Sequence, residues 1–123
     1  MPGKACFLAF PLPACILISK TFSTHPGYSD NVWMPLTRKA AIENLDYFLR
    51  IKFKDFGTYE DAILKEDTFL FHSGISSSLN MGLITPADVI ENALNFANNE
   101  NTPINSLEGI ITVSYTHLKL PTN

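Results

Sequence analysis

The amino-acid sequence predicts an all-α fold of four to five helices, flanked by irregular N-terminal and C-terminal segments. Three observations carry that expectation. Between Thr37 and Ile111 apolar residues recur at three- and four-residue steps, the spacing of one helical face. No apolar run in that stretch alternates with period two, and no internal repeat is present. Helix start signals recur along it, each a hydroxyl or amide residue just ahead of an apolar run.

The N-terminal segment is read separately. Ala5 to Ile18 is apolar and follows Lys4, so it resembles a short signal h-region, and Leu12-Pro-Ala-Cys15 is faintly like a lipoprotein cleavage site. Against export, the run is too short to span a bilayer, and Pro11 and Pro13 would interrupt a helix within it. Residues 1–17 are therefore expected to be an irregular or non-native lead-in.

Regular structure is expected from Pro35. Thr37 is placed to cap a helix whose apolar face is Ala41, Ile42, Leu45, Phe48, Leu49, Phe53 and Phe56. Gly57 stands where a left-handed residue would end it, after about five turns. Thr58-Tyr-Glu-Asp61 suggests a shorter helix reaching Leu64, with Glu60 and Asp61 in its first turn. A third segment is expected within Ser73 to Met81, closed by Gly82. The clearest start is Thr85-Pro86-Ala87-Asp88, a capping hydroxyl, a proline at the first helical position and an early carboxylate. Val89, Ile90, Ala93, Leu94 and Ala97 form that helix's apolar stripe. Asn105-Ser106 starts a last helix that is expected to be abandoned near Ile111. Thr112 to Leu120 then turns strand-like in composition and resembles a translated library adapter, so residues 112–123 are expected to be a non-native tail.

Composition bounds the function. With 123 residues and 46% apolar content, the chain can bury one core, as a soluble domain or a piece of one. Its charged fraction of 17% is below the usual quarter or so, which points to apolar surface awaiting a partner. A net charge of −3 gives no nucleic-acid footprint within these residues. The two cysteines, Cys6 and Cys15, are too few for a disulfide framework, a zinc finger or an iron–sulfur cluster. His25 and His117 have no carboxylate or thiol neighbours at ligand spacing, and Trp33, beside Pro35, is expected to anchor the core. Phe48, Phe53 and Phe56 are expected in the core too, since no basic groove accompanies them.

The chemically richest stretch is Phe69 to Leu83. Ser73, Ser76, Ser77, Ser78 and Asn80 are threaded through the apolar positions Leu70, Ile75, Leu79 and Leu83. One side of such a segment is buried, and small donors and accessible backbone amides face the other, a setting suited to an anion such as phosphate. The same serines also serve as plain helix caps, and no Walker or Rossmann glycine pattern fixes a ligand class.

Several motifs occur in register: Thr24-His-Pro-Gly27, Trp33-Met-Pro-Leu-Thr-Arg-Lys39, Asp55-Phe-Gly-Thr-Tyr-Glu-Asp-Ala62, Phe69-Leu-Phe-His-Ser73, Ser78-Leu-Asn-Met-Gly-Leu83 and Pro103-Ile-Asn-Ser-Leu-Glu-Gly109. In them, residues 18–111 closely resemble the deoxyribodipyrimidine photolyase-related proteins, the iron–sulfur bacterial branch of the photolyase/cryptochrome family. The resemblance implies part of a helical FAD-binding domain. By position it carries over Tyr59 near the flavin phosphates, and His72, Ser73, Gly74, Ile75 and Ser76 as the counterpart of a Thr-Ser-x-Leu-Ser motif that holds the FAD pyrophosphate. A histidine replaces the first threonine, which weakens a direct His72 contact. After Ile111 the family continues Arg-Gln-Ile-x-Gly-Trp-Arg-Glu, whereas this chain has Thr112-Val-Ser-Tyr115.

The resemblance further implies light-driven electron donation from reduced FAD to a pyrimidine lesion, commonly a (6-4) photoproduct, with the protein supplying binding and orientation. An intact parent would carry a 4Fe-4S cluster and a lumazine-type antenna, bind damaged DNA and be cytoplasmic. The sites for those groups fall outside this sequence, and no catalytic or metal-ligating residue is assigned within it. The expectation is a fragment that is inactive alone because half of the flavin site is missing. Photolyase and cryptochrome are not distinguished. The alternatives are a cofactor-free all-α interaction module and, further off, a small lipidated protein anchored through Cys15.

Overall fold

The computed structural model describes residues 12–27 and 33–119. Its named elements are all helices: α1 (Leu12–Thr21), α2 (Arg38–Ile51), α3 (Phe53–Tyr59), α4 (Ser76–Asn80), α5 (Pro86–Asn99) and α6 (Ile104–Lys119). The all-α expectation therefore holds, with six helices among the described residues in place of four to five. The only strand-like pairing among them is an isolated bridge between Leu64 and Asp67.

One apolar cluster joins α2, α3, α5 and α6. Ala41, Leu45, Phe48 and Leu49 of α2 meet Phe53 and Phe56 of α3, Val89 and Ala93 of α5, and Ile110 of α6. Ile75 and Ile84, on either side of α4, complete it. The three phenylalanines of the predicted stripe pack ring against ring, Phe48 lying 5.2 Å from Phe56 edge to face and 5.7 Å from Phe53. Burial of aromatic rings of this size dominates the energetics of a small core.

Two helix starts are well determined by their residues. The Thr37 hydroxyl accepts from Ala40 N, capping α2. At α5 the capping box is reciprocal: Asp88 N donates to Thr85 Oγ1, and Thr85 N donates to Asp88 Oδ2 at 2.7 Å, with Pro86 in the first turn. Arg38 ties the two starts together, donating to both Asp88 carboxylate oxygens at 3.0 and 3.3 Å and to the Leu83 carbonyl at 2.9 Å. This arrangement holds the Asp88 pKa down at about 2, chiefly through the Arg38 hydrogen bond and then the Thr85 amide and hydroxyl.

Several expectations need correction. The long helix does not run unbroken to Gly57; it stops at Ile51, Lys52 adopts φ −116°, and α3 restarts at Phe53. Gly57 is not a left-handed cap but lies inside α3, where a Cβ would sit 2.4 Å from the Asn105 carbonyl carbon and the Ser106 nitrogen. It is glycine because α6 crosses α3 in backbone contact there. No helix spans Thr58 to Leu64: Glu60 and Asp61 follow the end of α3 rather than opening a helix. The third segment contracts to Ser76–Asn80, and Gly82, at φ +67°, does turn the chain out of it.

The last helix runs further than expected. α6 does not stop at Ile111 but continues to Lys119, burying Ile110 and Ser114. The β-branched residues Thr112 and Val113 are accommodated because packing against α3 and α5 outweighs a modest propensity penalty. At the other end, residues 12–21 are helical where an irregular lead-in was expected, with Pro13 in the first turn, where its missing N–H has no intrahelical partner to lose. Residues 1–11, Cys6 among them, lie outside the described residues, as do residues 120–123. Trp33 is not a core anchor: it is 51% exposed and meets Phe69 edge to face at 4.8 Å.

Candidate functional site

The loop between α3 and α4 builds the candidate site. Asp67 organises it, its Oδ1 accepting from the amides of Phe69 at 2.9 Å and Leu70 at 3.1 Å. Those amides, with smaller help from Lys52, hold the Asp67 carboxyl below its ordinary range. Leu70 sits at φ +37°, a left-handed conformation that a branched side chain adopts only where its surroundings insist. The turn sends Phe69 toward Trp33 and Phe71 toward Tyr59, whose rings stack with centroids 5.1 Å apart. Lys52, at the α2–α3 break, donates from Nζ to the His72 carbonyl at 3.4 Å, and burial lowers its pKa against the opposing pull of Asp67. Gly74, at φ +66°, then turns the chain into α4.

An open cleft of about 540 Å³ lies against this loop. One wall is His72, Ser73, Gly74, Ser76 and Ser77; Trp33, Phe56 and Phe69 supply aromatic surface; Glu60, Asp61, Thr68 and Val113 complete the lining. Of the candidate flavin contacts, His72, Ser73, Gly74 and Ser76 thus share one cleft. Ile75 does not reach it with its side chain, which is 1% exposed in the core, and Tyr59 lies outside the lining against Phe71.

The donor wall has one orphan. Ser77 Oγ is sequestered from solvent without a hydrogen-bond partner, although its residue lines the cleft. Ser78 Oγ and Ser114 Oγ are likewise buried and unpartnered, but neither residue belongs to the lining. What sequence reasoning missed is the acidic part of the lining: Glu60 and Asp61 read locally as a helix start, and their place just past the end of α3 depends on where that helix stops. The lining includes two carboxylates and neither lysine nor arginine. Among the described residues no group of three or more His, Cys, Asp or Glu is placed to hold a metal ion. No helix among them is long and apolar enough to cross a membrane.

The chain is 31% identical over 94 residues to a (6-4) photolyase of Agrobacterium fabrum, a match covering 76% of this chain and 18% of that protein. It is 50% identical over 46 residues to an uncharacterised protein of Acanthamoeba polyphaga mimivirus, covering 37% of this chain and 36% of the viral one. No protein-family model matches the chain. The chain thus spans less than a fifth of the photolyase it matches, and the similarity supports a photolyase-related relationship.

Proposed function

We propose that this chain is part of the flavin-binding helical region of a photolyase- or cryptochrome-type protein. Two observations support the reading. The chain is similar over 94 residues to a (6-4) photolyase. Four of the six residues that the family resemblance singles out, His72, Ser73, Gly74 and Ser76, line a single cleft together with aromatic side chains.

Tested against FAD, the cleft fits in part. The hydroxyls of Ser73 and Ser76 are donors suited to the diphosphate, and the rings of Trp33 and Phe69 to an aromatic ligand. In this reading Ser73 and Ser76 hold the phosphates, and Lys52 steadies the loop through the His72 carbonyl. When bound, a reduced flavin supplies light-driven electron donation to a damaged pyrimidine in DNA; the residues named here bind and orient it. Damaged DNA as the partner, a 4Fe-4S cluster and an antenna chromophore belong to this reading of the whole protein.

The test is FAD retention. Ser73→Ala combined with Ser76→Ala removes two charge-assisted hydrogen bonds, each worth about 1.5–3 kcal/mol, and is expected to weaken FAD binding at least tenfold in the longer parent protein. Unchanged flavin content in that double variant removes the phosphate assignment. The isolated 123-residue chain is expected to bind FAD weakly and to show no repair, and FAD co-purifying with it at unit stoichiometry contradicts the half-site view.

A further inference from the structure

Three side chains in the cleft lining have unused hydrogen-bonding capacity. The hydroxyls of Ser73 and Ser76 and the imidazole of His72 make no hydrogen bond or ion pair among the described residues. The backbone of His72 is nonetheless tied down. Its amide donates to the Phe69 carbonyl at 2.7 Å, and its carbonyl accepts from Lys52 Nζ at 3.4 Å. The imidazole of this exposed residue is therefore what position 72 has left to offer a ligand.

Charge separates His72 from the two serines. The lining holds neither lysine nor arginine, so His72 is its one residue able to become a cation. The charged groups around it are Lys52 at the α2–α3 break, Glu60 and Asp61 past the end of α3, and Asp67 in the loop. From α4 and α6 the lining takes only Ser76, Ser77 and Val113, none of them charged. Serine hydroxyls satisfy phosphate oxygens without neutralising them, whereas a charged donor does both. We infer that His72 supplies the positive charge for the phosphates of the bound nucleotide, and that it does so as the imidazolium, so that binding takes up a proton. This deepens the flavin-nucleotide reading of the cleft, on which it rests, by adding a cation to the hydroxyls of Ser73 and Ser76. Imidazole is the side chain that ordinarily gains its charge between about pH 8 and pH 5, and as the imidazolium it donates from both ring nitrogens. A phosphate about 4 Å away favours that form roughly fivefold even at the dielectric of water.

Flavin fluorescence anisotropy follows binding as the 123-residue chain is titrated into dilute FAD, or into riboflavin, which has the ring but no phosphate. Each titration is made at about pH 8 and at about pH 6. FAD keeps its diphosphate ionised across that range, so a change in its affinity reports a group on the protein. The expected result is FAD binding about threefold tighter or more at the lower pH, with riboflavin unchanged. His72→Gln should bind FAD at both values as the unmodified chain does at the higher one. His72→Arg, which carries its charge throughout, should bind tightly at both. His25 and His117 remain in both variants, so loss of the pH dependence identifies residue 72. FAD affinity that does not change with pH overturns the inference while leaving the flavin reading standing. A change that riboflavin shares, or that survives in His72→Gln, does the same. Failure of both flavins to bind overturns both. The comparison of FAD with riboflavin is made on the unmodified chain, so it decides the question even where a variant does not fold.

Discussion

The backbone amide of Gly57 donates to the hydroxyl of Ser106 at 2.9 Å, and the same hydroxyl reaches the Lys54 carbonyl at 3.3 Å. One buried serine of α6 therefore satisfies two backbone groups of α3, at the point where the helices are too close for any side chain on residue 57. This contact sets the position of the end of α3, and hence of Glu60 and Asp61 at the cleft.

Gly57→Ala is expected to destabilise the fold by about 2–3 kcal/mol, near the upper end for an overpacked site. The atoms it would strike, 2.4 Å away, are backbone and cannot rotate aside. The gain of about 1 kcal/mol in helix propensity on replacing glycine offsets only part of the clash. Gly109→Ala is expected to cost less, because its nearest neighbours are side-chain atoms of Glu60 and Phe56. Urea unfolding followed by circular dichroism orders the two variants, and equal stabilities would contradict the backbone contact.

Gly57 also shows where reading the sequence reached its limit. A glycine ending a helix and a glycine admitting a neighbouring helix are the same letter, and only the position of α6 separates them. The break at Lys52 was hidden because the apolar spacing from Ala41 to Phe56 continues through it, and the residue leaves ideal helix geometry without leaving the right-handed region. Residues 112–119 read as strand from local preference, yet tertiary packing of Ile110 and Ser114 carries the helix onward. By contrast, Thr85, Pro86 and Asp88 act on one another within a single turn, so their pattern alone located the start of α5. The serine wall of the cleft was readable for the same local reason. The acidic part of that lining was not, since the place of Glu60 and Asp61 depends on where α3 ends, which is set by its contact with α6.

Buried serines divide by whether their hydroxyl has a partner. Ser106→Ala strands the Gly57 amide and is expected to lose about 1–2 kcal/mol. Ser78→Ala and Ser114→Ala remove hydroxyls that are 0% exposed with no partner, and are expected to be neutral or to stabilise by up to about 1 kcal/mol. Thermal unfolding of the three alanine variants should separate them by sign. Comparable losses in all three would mean that Ser78 and Ser114 are hydrogen-bonded in solution.

The Arg38–Asp88–Thr85 cluster should make stability depend on pH in the acid range. The folded-state pKa of Asp88 is about 2, below the ordinary value of 3.8, so the unfolded chain binds its proton first. Its contribution is fully present above about pH 4 and disappears as pH falls through about 2. Asp88→Asn removes the charge and one arm of the capping box, at an expected loss of about 1 kcal/mol for a partly solvated site. The variant should flatten the dependence between pH 4 and 2 in denaturant titrations, and a wild-type slope retained in Asp88→Asn would place the titrating group elsewhere.

Asp67→Ala tests whether the turn before the cleft is held by its side chain. The carboxylate receives the amides of Phe69 and Leu70, and Leu70 keeps a left-handed φ of +37° in that setting. Without the acceptor, residue 70 is expected to relax toward ordinary backbone, withdrawing Phe69 from its edge-to-face contact with Trp33. The single tryptophan should then show a red-shifted emission and greater access to a neutral quencher, with helical content and unfolding midpoint little changed, since the turn lies outside the main apolar cluster. Asp67→Asn, which keeps an acceptor for the two amides, should restore most of the wild-type emission. Failure of that rescue would assign the effect to the lost charge near Lys52 and not to the hydrogen bonds that shape the loop.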